Sequence, residues 1–264
     1  MRAIWSGAIG FGLVNIPIKL YSAVQGSELN LDMLDKKDHS NIKFHRVNAE
    51  SGKQVPWQNI VKGYMLNGKY VVLDNEDFAK ASPEKSKIIS IEEFVNGKDI
   101  DSIFFETPYY LQPDKSGEKA YILLREALEK SGKYGLGTYV LRNREHLCVL
   151  KPLGNVIVLN TIRFHEEIRD VKELKIPATS KLKPGELKMA LALIDQLTAK
   201  FDISKYKDSY TASLMKLIKA KAKGKKTEVP HMRIVHSNTR DLMSQLKASL
   251  DKKSTPAKKT KKAS

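Results

Sequence analysis

Short apolar runs separated by turn residues fill roughly the first 165 positions of the chain. Residues 4–11 and 13–24 form two such runs, separated by Gly12. An Asn-Gly dipeptide at positions 67 and 68 separates residues 61–66 from residues 70–73. Asn-Gly between two apolar runs is the strongest short signal for a β-hairpin. The pattern therefore predicts two hairpins in this part of the chain.

Further apolar runs continue the β pattern. They cover residues 87–95, 103–111, 138–141, 145–150 and 156–164. Many short strands with frequent turn signals predict a sandwich or a barrel. One helix is expected among them, over residues 118–130, because Tyr121, Leu124 and Leu128 share one helical face.

The hydrophobic period changes to that of helices after position 177. A helix is predicted from Pro184 to Phe201 and a second from Asp208, which we expect to lose its helical form after Ile218, in the lysine-rich residues 219–226. A third helical stretch, residues 238–250, can be capped by Asn238. Residues 252–264 are Lys, Ala, Ser, Thr and Pro only, and we expect them to be disordered.

Charge is distributed unevenly and narrows the range of partners. The chain of 264 residues carries 46 Lys and Arg against 30 Asp and Glu, a formal net charge of +16. Residues 216–264 hold fifteen of these basic residues and only three acidic ones. A nearly balanced body with a basic end is typical of a folded domain with an arm for a polyanion, and nucleic acid is favoured over a membrane surface. We expect neither a membrane span nor a signal peptide, and the single cysteine indicates a reducing cytoplasm.

Residues with catalytic or metal-binding chemistry form no recognisable pattern. The soft metal ligands lack the spacing of a zinc site; they are His39, His45, His146, Cys148 and His165. Gly7, Gly10 and Gly12 resemble a broken phosphate-binding loop, but no helix is predicted after them, so we interpret them as places where backbones approach closely. We therefore expect no catalytic residue, no metal and no cofactor.

Basic residues of the β body are the remaining candidates for a site. Lys133, Arg142, Arg144, Lys151 and Arg163 fall on neighbouring predicted strands and turns. A solvated surface accounts for each of them singly, whereas together they could line a groove that contacts phosphates. No motif for reading base edges is present, so any contact with DNA would be to its backbone and shape.

Several long segments resemble the bacterial Ku proteins of non-homologous end joining. They are residues 2–21 (RAIWSGAIGFGLVNIPIKLY), 68–77 (GKYVVLDNED), 104–111 (FFETPYYL), 119–125 (KAYILLR), 187–195 (LKMALALID) and 205–210 (KYKDSY). The resemblance runs in order from Arg2 to about Gly224. It implies a mainly β fold with C-terminal helices, in which a Ku-type β-barrel core carries a helical arm and two copies form a ring around DNA. Since the signature starts at Arg2, we expect no von Willebrand-like domain before it.

The resemblance suggests roles for particular residues. The wide apolar face of the helix from Pro184 fits a dimer interface through Leu187, Leu191, Ile194 and Leu197, although it could instead cover its own barrel. The segment 238–250 resembles the part of bacterial Ku proteins that engages an ATP-dependent end-joining ligase of the ligase D type. Its docking residues would be Leu242, Met243, Leu246 and Leu250. Packing back onto the dimer is the alternative for this segment.

The expected DNA contacts combine the barrel and the basic end. They are Lys133, Arg142, Arg144, Arg163, Lys221, Lys223, Lys225, Lys226, Lys258 and Lys259. The expected domains are a core over residues 1–180, a dimerisation arm over 181–224, a linker with the ligase-docking segment over 225–250, and a tail over 251–264.

The resulting hypothesis is a non-enzymatic homodimer in the bacterial cytoplasm, associated with the nucleoid. It would bind ends of linear double-stranded DNA, protect them, and recruit and stimulate the ligase. Two alternatives stay open at this point: a general DNA-bridging protein of the nucleoid type, in which the lysine tail does the binding, and a lyase acting at abasic ends through a lysine Schiff base.

Overall fold

A computed structural model describes residues 1–81, 87–142, 144–176 and 184–225, together with 246, 247 and 249. The chain forms two compact units. The first comprises Met1–Gly26 and Asn30–Val171, and the second comprises Ser27–Leu29 and Lys172–Ser264.

Seven strands of the first unit close into a barrel, and two more form a separate ribbon. The strands of the described chain are β1 (Trp5–Phe11), β2 (Val14–Ser22), β3 (Lys62–Leu66), β4 (Lys69–Leu73), β5 (Ile88–Asn96), β6 (Phe105–Pro113), β7 (Lys133–Leu141), β8 (Arg144–Leu153) and β9 (Val156–Ile162). The barrel order is β1-β2-β6-β9-β8-β7-β5, and β3 pairs with β4. Every strand pair is antiparallel except β1 with β5, which is parallel and closes the barrel. The predicted barrel is confirmed.

Alternating burial explains why these segments are strands. In β2, Ile16, Ile18 and Leu20 are fully buried, while the residues between them are only partly covered. Side chains of a strand point alternately to its two sides, so the period of two fixes which side faces the core. The predicted hairpin at Asn67-Gly68 is also confirmed, with φ of 49° and 79° at its two turn residues. These left-handed values suit the primed turns that match the twist of a hairpin.

Glycines make two close strand contacts with β5 sterically feasible, that of β1 at the seam that closes the barrel and that of β7 on the other side of β5. A Cβ atom on Gly7 would lie 2.2 Å from the Lys87 carbonyl oxygen, and one on Gly137 would lie 1.9 Å from the Ser90 carbonyl oxygen. Both distances are far below van der Waals contact, so no side chain fits at either position. The interpretation of Gly7 as a site of close backbone approach is confirmed.

The first unit also contains two helices, α1 (Asn75–Ala81) and α2 (Glu118–Ser131). Helix α2 lies across one end of the barrel. It contacts β2, β7 and β8, and because β2 is not adjacent to β7 or β8 in the sheet, a helix that contacts all three must cross an open end. Tyr121, Leu124 and Leu128 enter the core, as the sequence predicts. We call this end of the barrel the helix end.

The Tyr121 hydroxyl fastens α2 to the barrel. It donates to the Leu111 carbonyl oxygen at 2.7 Å and accepts from the Ile157 amide at 2.7 Å. Burial raises the pKa of this tyrosine above its ordinary value. The hydroxyl thereby satisfies two backbone groups at the end of the β6–β9 ladder, where a lost partner is costly.

The second unit contains two long helices, α3 (Pro184–Leu197) and α4 (Ser209–Ala222). The prediction that α3 continues to Phe201 is wrong, because a tighter turn forms at its end, with the Thr198 amide donating to the Asp195 carbonyl oxygen at 3.2 Å. The prediction that α4 loses its helical form at residue 219 is also wrong. Alanine and lysine are good helix formers, so their alternation extends α4 through Ala222 without an apolar pattern.

Helix α1 was missed at the sequence level although a signal for it is present. The Asp74 carboxylate accepts from the amides of Glu76 and Asp77 at 2.8 and 2.9 Å, while the Asp77 carboxylate accepts from the Asp74 amide at 3.0 Å. This reciprocal arrangement resembles a capping box, and an acidic residue followed three positions later by another is its signature in the sequence.

The close contact between β5 and β7 predicts a large effect of a single methyl group. Gly137→Ala should lower the free energy of unfolding by about 3 kcal/mol, because its Cβ must displace the Ser90 carbonyl. Gly26→Ala is the matched control, since nothing lies within 4 Å of a Cβ there. Denaturant unfolding measures both, and equal stability of the two variants would show that the contact between β5 and β7 tolerates a side chain.

Candidate nucleic-acid interface

Two arginines sit at the tip of the β7–β8 hairpin. Leu141 is paired with Arg144, so the connection between the strands is only two residues long, and Arg142 adopts a left-handed φ of 53°. The side chains of Arg142 and Arg144 are both exposed. A non-glycine residue with positive φ is uncommon, and here it is part of the tight turn that presents these two charges at the end of the barrel opposite α2.

Arg163 lies at the same end of the barrel, but its guanidinium already has hydrogen-bond and ion-pair partners within the protein. Its Nη1 donates to the carbonyl oxygens of Ile103 and Phe105 at 2.8 and 3.0 Å, and its Nη2 pairs with the Glu106 carboxylate at 3.2 Å. The guanidinium thus joins the end of β9 to the start of β6. Its position keeps positive charge near the hairpin tip, while its hydrogen bonds give it a structural task as well. We call the end that carries Arg142, Arg144 and Arg163 the arginine end.

Lys133 is separated from these arginines by the whole length of β7. It begins the strand that ends at Leu141, about 26 Å away at the usual rise per residue. Its Nζ donates to Asn96 Oδ1 at 3.3 Å, near the helix end. The structure therefore brings together three of the four predicted barrel contacts and leaves Lys133 apart from them.

Lys151 is a cation held against aromatic rings. Its Nζ lies 5.1 Å from the centre of the Phe105 ring and 6.0 Å from that of Tyr134. Such cation–π contacts are worth about 0.5–1 kcal/mol at exposed sites. Lys151 is therefore fixed in place by these rings.

The basic part of α4 carries the next group of predicted contacts. Lys221, Lys223 and Lys225 are all exposed at or just beyond the end of this helix. Positive side chains at a helix C-terminus interact favourably with its dipole. At the other end of α4, Asp208 accepts from the Thr211 amide at 3.0 Å, and hydrogen bonds from Thr211 hold the pKa of this carboxyl below its usual value. Lys226, Lys258 and Lys259 lie outside the described residues.

The predicted dimer-interface residues form an exposed apolar stripe on α3. Leu187, Leu191, Ile194 and Leu197 are between 51% and 59% exposed. Their spacing places them along one side of the helix. Of the predicted ligase-docking residues, Leu246 is helical and partly buried, whereas Leu242, Met243 and Leu250 lie outside the described residues.

The β3–β4 ribbon carries a second exposed apolar surface, which the sequence interpretation missed. Tyr64, Met65, Tyr70 and Val71 are all exposed, and because neighbours along a strand point to opposite sides, both faces of the ribbon are apolar. An isolated two-stranded hairpin is only marginally stable in water. The apolar alternation around the Asn-Gly turn could have indicated this surface.

Possible metal ligands do not cluster in the described ranges of the chain. In those ranges no group of three or more His, Cys, Asp and Glu side chains is placed to hold a metal ion. Cys148 is fully buried, and burial raises the pKa of its thiol well above the ordinary value. No helix in the same part of the chain is both long and apolar enough to span a bilayer.

Comparison with known proteins gives one consistent result. Residues 10–189 match the family model described as the Ku70/Ku80 beta-barrel domain. The non-homologous end joining protein Ku of Coxiella burnetii is 38% identical over 99% of this chain and 97% of its own length. The proteins of the same name from Opitutus terrae and Bacillus subtilis are 41% and 39% identical, each over 98% of this chain and over 95% and 85% of their own lengths.

Among solved structures, the SPOC domain of human PHD-finger protein 3 covers 61% of this chain and 97% of its own, with 14% identity and a TM-score of 0.33. That likeness is too small to support an argument.

The closed seven-stranded barrel and the match to the family model define the molecule as a Ku-type barrel protein. The chain belongs to the Ku family, with proteins named for non-homologous end joining among its relatives.

The arginine end predicts different outcomes for two of its members. Arg163→Met should lower the free energy of unfolding by about 1.5–3 kcal/mol, because two carbonyls and Glu106 lose a charged partner. Arg144→Gln should leave stability within about 0.5 kcal/mol but reduce the salt dependence of duplex binding by about 0.9 in the logarithmic slope. Denaturant unfolding and binding titrations at several salt concentrations measure these effects. An unchanged slope in Arg144→Gln would remove this residue from the interface.

Proposed function

We propose that this chain binds the ends of linear double-stranded DNA as a ring-shaped homodimer, protects them, and recruits and stimulates an ATP-dependent ligase of the ligase D type. The observation that carries the proposal is the similarity, over nearly the whole chain, to proteins named for non-homologous end joining. The proposed role is that of a binding protein without catalysis, working at the nucleoid.

Two exposed apolar surfaces support a second copy as the partner. The stripe on α3 and both faces of the β3–β4 ribbon leave large aliphatic and aromatic side chains uncovered in the single chain. Burial of apolar surface contributes about 25 cal/mol per Å², and contiguous exposed patches of this kind mark interaction sites. Two copies related by a twofold axis could cover the same surfaces on each other.

A ring explains how DNA ends can be selected without any base-reading motif. A closed ring can be threaded only from a free end, so linear and circular duplexes are distinguished by topology. Contacts with phosphates from Arg142, Arg144 and the basic end of α4 would supply affinity that is independent of sequence. Such contacts are individually weak and salt-sensitive, which would let the ring slide inward from the end.

The ligase role is proposed for the segment 238–250. Its apolar residues recur at helical spacing, and the one of them that the structure describes, Leu246, is helical. An apolar stripe at helical spacing, with basic residues before and after it in the sequence, is suited to docking in an apolar groove of a partner. Stimulation of the ligase by a Leu242→Asp, Leu246→Asp double variant measures this role, and full stimulation by the variant would contradict it.

The homodimer proposal predicts the effect of one charge on α3. Leu191→Asp should yield monomers, because the residue is 52% exposed in the single chain but its carboxylate would be desolvated in the dimer. Ala192→Asp introduces the same group on the opposite side of α3, at an exposed position, and should stay dimeric. Light scattering measures the mass, and circular dichroism checks that both variants are folded. A Leu191→Asp protein that dimerises as tightly as the wild type would contradict the interface.

A further inference from the structure

A cavity on the outer side of the barrel belongs to none of the surfaces assigned so far. It has a volume of about 980 Å³ and lies between α2, the β8–β9 turn and the outer faces of β2 and β6. This volume is at the upper end of the range for ligand pockets. Its walls combine aromatic, amide and charged side chains, and the ones that matter below are Tyr21, Tyr110, Asn155, Glu118 and Arg125.

Two tyrosines form the aromatic wall of this cavity. Tyr21 on β2 is paired directly with Tyr110 on β6. Their neighbours Leu20 and Leu111 are buried in the core, so the two tyrosines point outward on the same face of the sheet. Directly paired residues have Cβ atoms about 5 Å apart, so both rings belong to the same wall of the cavity and either can offer a face to a planar group.

Arg125 on α2 lines the same cavity and is incompletely paired. Its Nη2 contacts Glu126, but its Nε is buried and has no hydrogen-bond partner. A buried donor without a partner costs free energy and is unusual enough to need an explanation. An anion in the cavity would give this guanidinium a second acceptor besides Glu126, since its planar fork suits phosphate and carboxylate groups.

The remaining polar groups match the edge of a base better than a second anion. Asn155, on the β8–β9 turn, and Gln112, on β6, carry side-chain amides that can both donate and accept. Glu118 lies on the same side of α2 as Arg125, two helical turns before it. Its carboxylate can accept from an exocyclic amino group and would repel a phosphate. Seven residues of helix separate Glu118 from Arg125, about 10 Å, a span comparable to that from the amino edge of a base to its 5′ phosphate.

We propose that this cavity binds one unpaired nucleotide, with its base on the Tyr21–Tyr110 wall and its phosphate at Arg125. Stacking on aromatic rings with a cation at the backbone is the usual way proteins hold single-stranded nucleic acid. The inference deepens the proposed function, because a broken duplex with an overhang presents unpaired nucleotides at its end. The cavity would then hold an overhang, in addition to the phosphate contacts made with the duplex.

The test uses the full chain and a short single-stranded oligonucleotide that contains 2-aminopurine, whose fluorescence is quenched by stacking. The wild-type protein should quench it at about 150 mM salt. Tyr110→Leu and Arg125→Gln should each weaken binding about five- to hundredfold, the range expected for one stacked base or one charged contact. Tyr110→Trp should retain the quenching, because the larger ring stacks as well. Tyr206→Leu, an exposed tyrosine of the second unit, is the matched control and should bind as the wild type does.

Parallel titrations with a blunt duplex separate this inference from the proposed function. All of these variants should bind the blunt duplex as the wild type does, since no unpaired nucleotide is present. Quenching that survives in both Tyr110→Leu and Arg125→Gln would overturn the nucleotide site. Failure of the wild type to bind the blunt duplex, with quenching intact, would overturn the proposed function but not the cavity's role.

Discussion

Closure of the barrel between β1 and β5 is the constraint on which the rest of the first unit depends. This is the one parallel pair of the barrel, with Ala8, Ile9 and Gly10 aligned to residues 88–90, and the Ala8 amide donates to the Lys87 carbonyl oxygen at 2.8 Å. The backbones come so close that only glycine fits at position 7. Without closure the sheet would expose two unpaired edges, and the core of Ile9, Ile16 and Ile89 would lose one wall.

Closure also sorts the functional side chains onto different parts of the surface. One end of the barrel is covered by α2, which the hydrogen bonds of the Tyr121 hydroxyl hold in place. The tight hairpin that carries Arg142 and Arg144 lies at the opposite end. The outer face of β2 and β6, beside α2, holds the cavity with Arg125. The proposed phosphate contacts of Arg142 and Arg144 and the proposed nucleotide site therefore lie on different parts of the first unit.

Much of this was predictable from the sequence, for definable reasons. Alternation of apolar residues and the Asn-Gly turn predicted strands because both are local signals, and the apolar face of α2 predicted its buried residues Tyr121, Leu124 and Leu128. Three features depended on non-local pairing and could not be predicted. The register that puts Tyr21 beside Tyr110, the carbonyls that occupy Arg163, and the distance of Lys133 from the arginine end follow only from how distant strands align. The resemblance to the Ku family is what led to the proposed function. Composition and charge alone indicated only that the chain binds a polyanion.

The most direct test of the central claim compares binding to one plasmid in linear and in covalently closed circular form, at about 150 mM salt, where weak phosphate contacts are screened. A ring threaded from the end should bind the linear form strongly and the closed form weakly, and blocking the ends after loading should slow its release. Equal binding to both forms would contradict the ring and indicate contact through an open surface or the lysine tail.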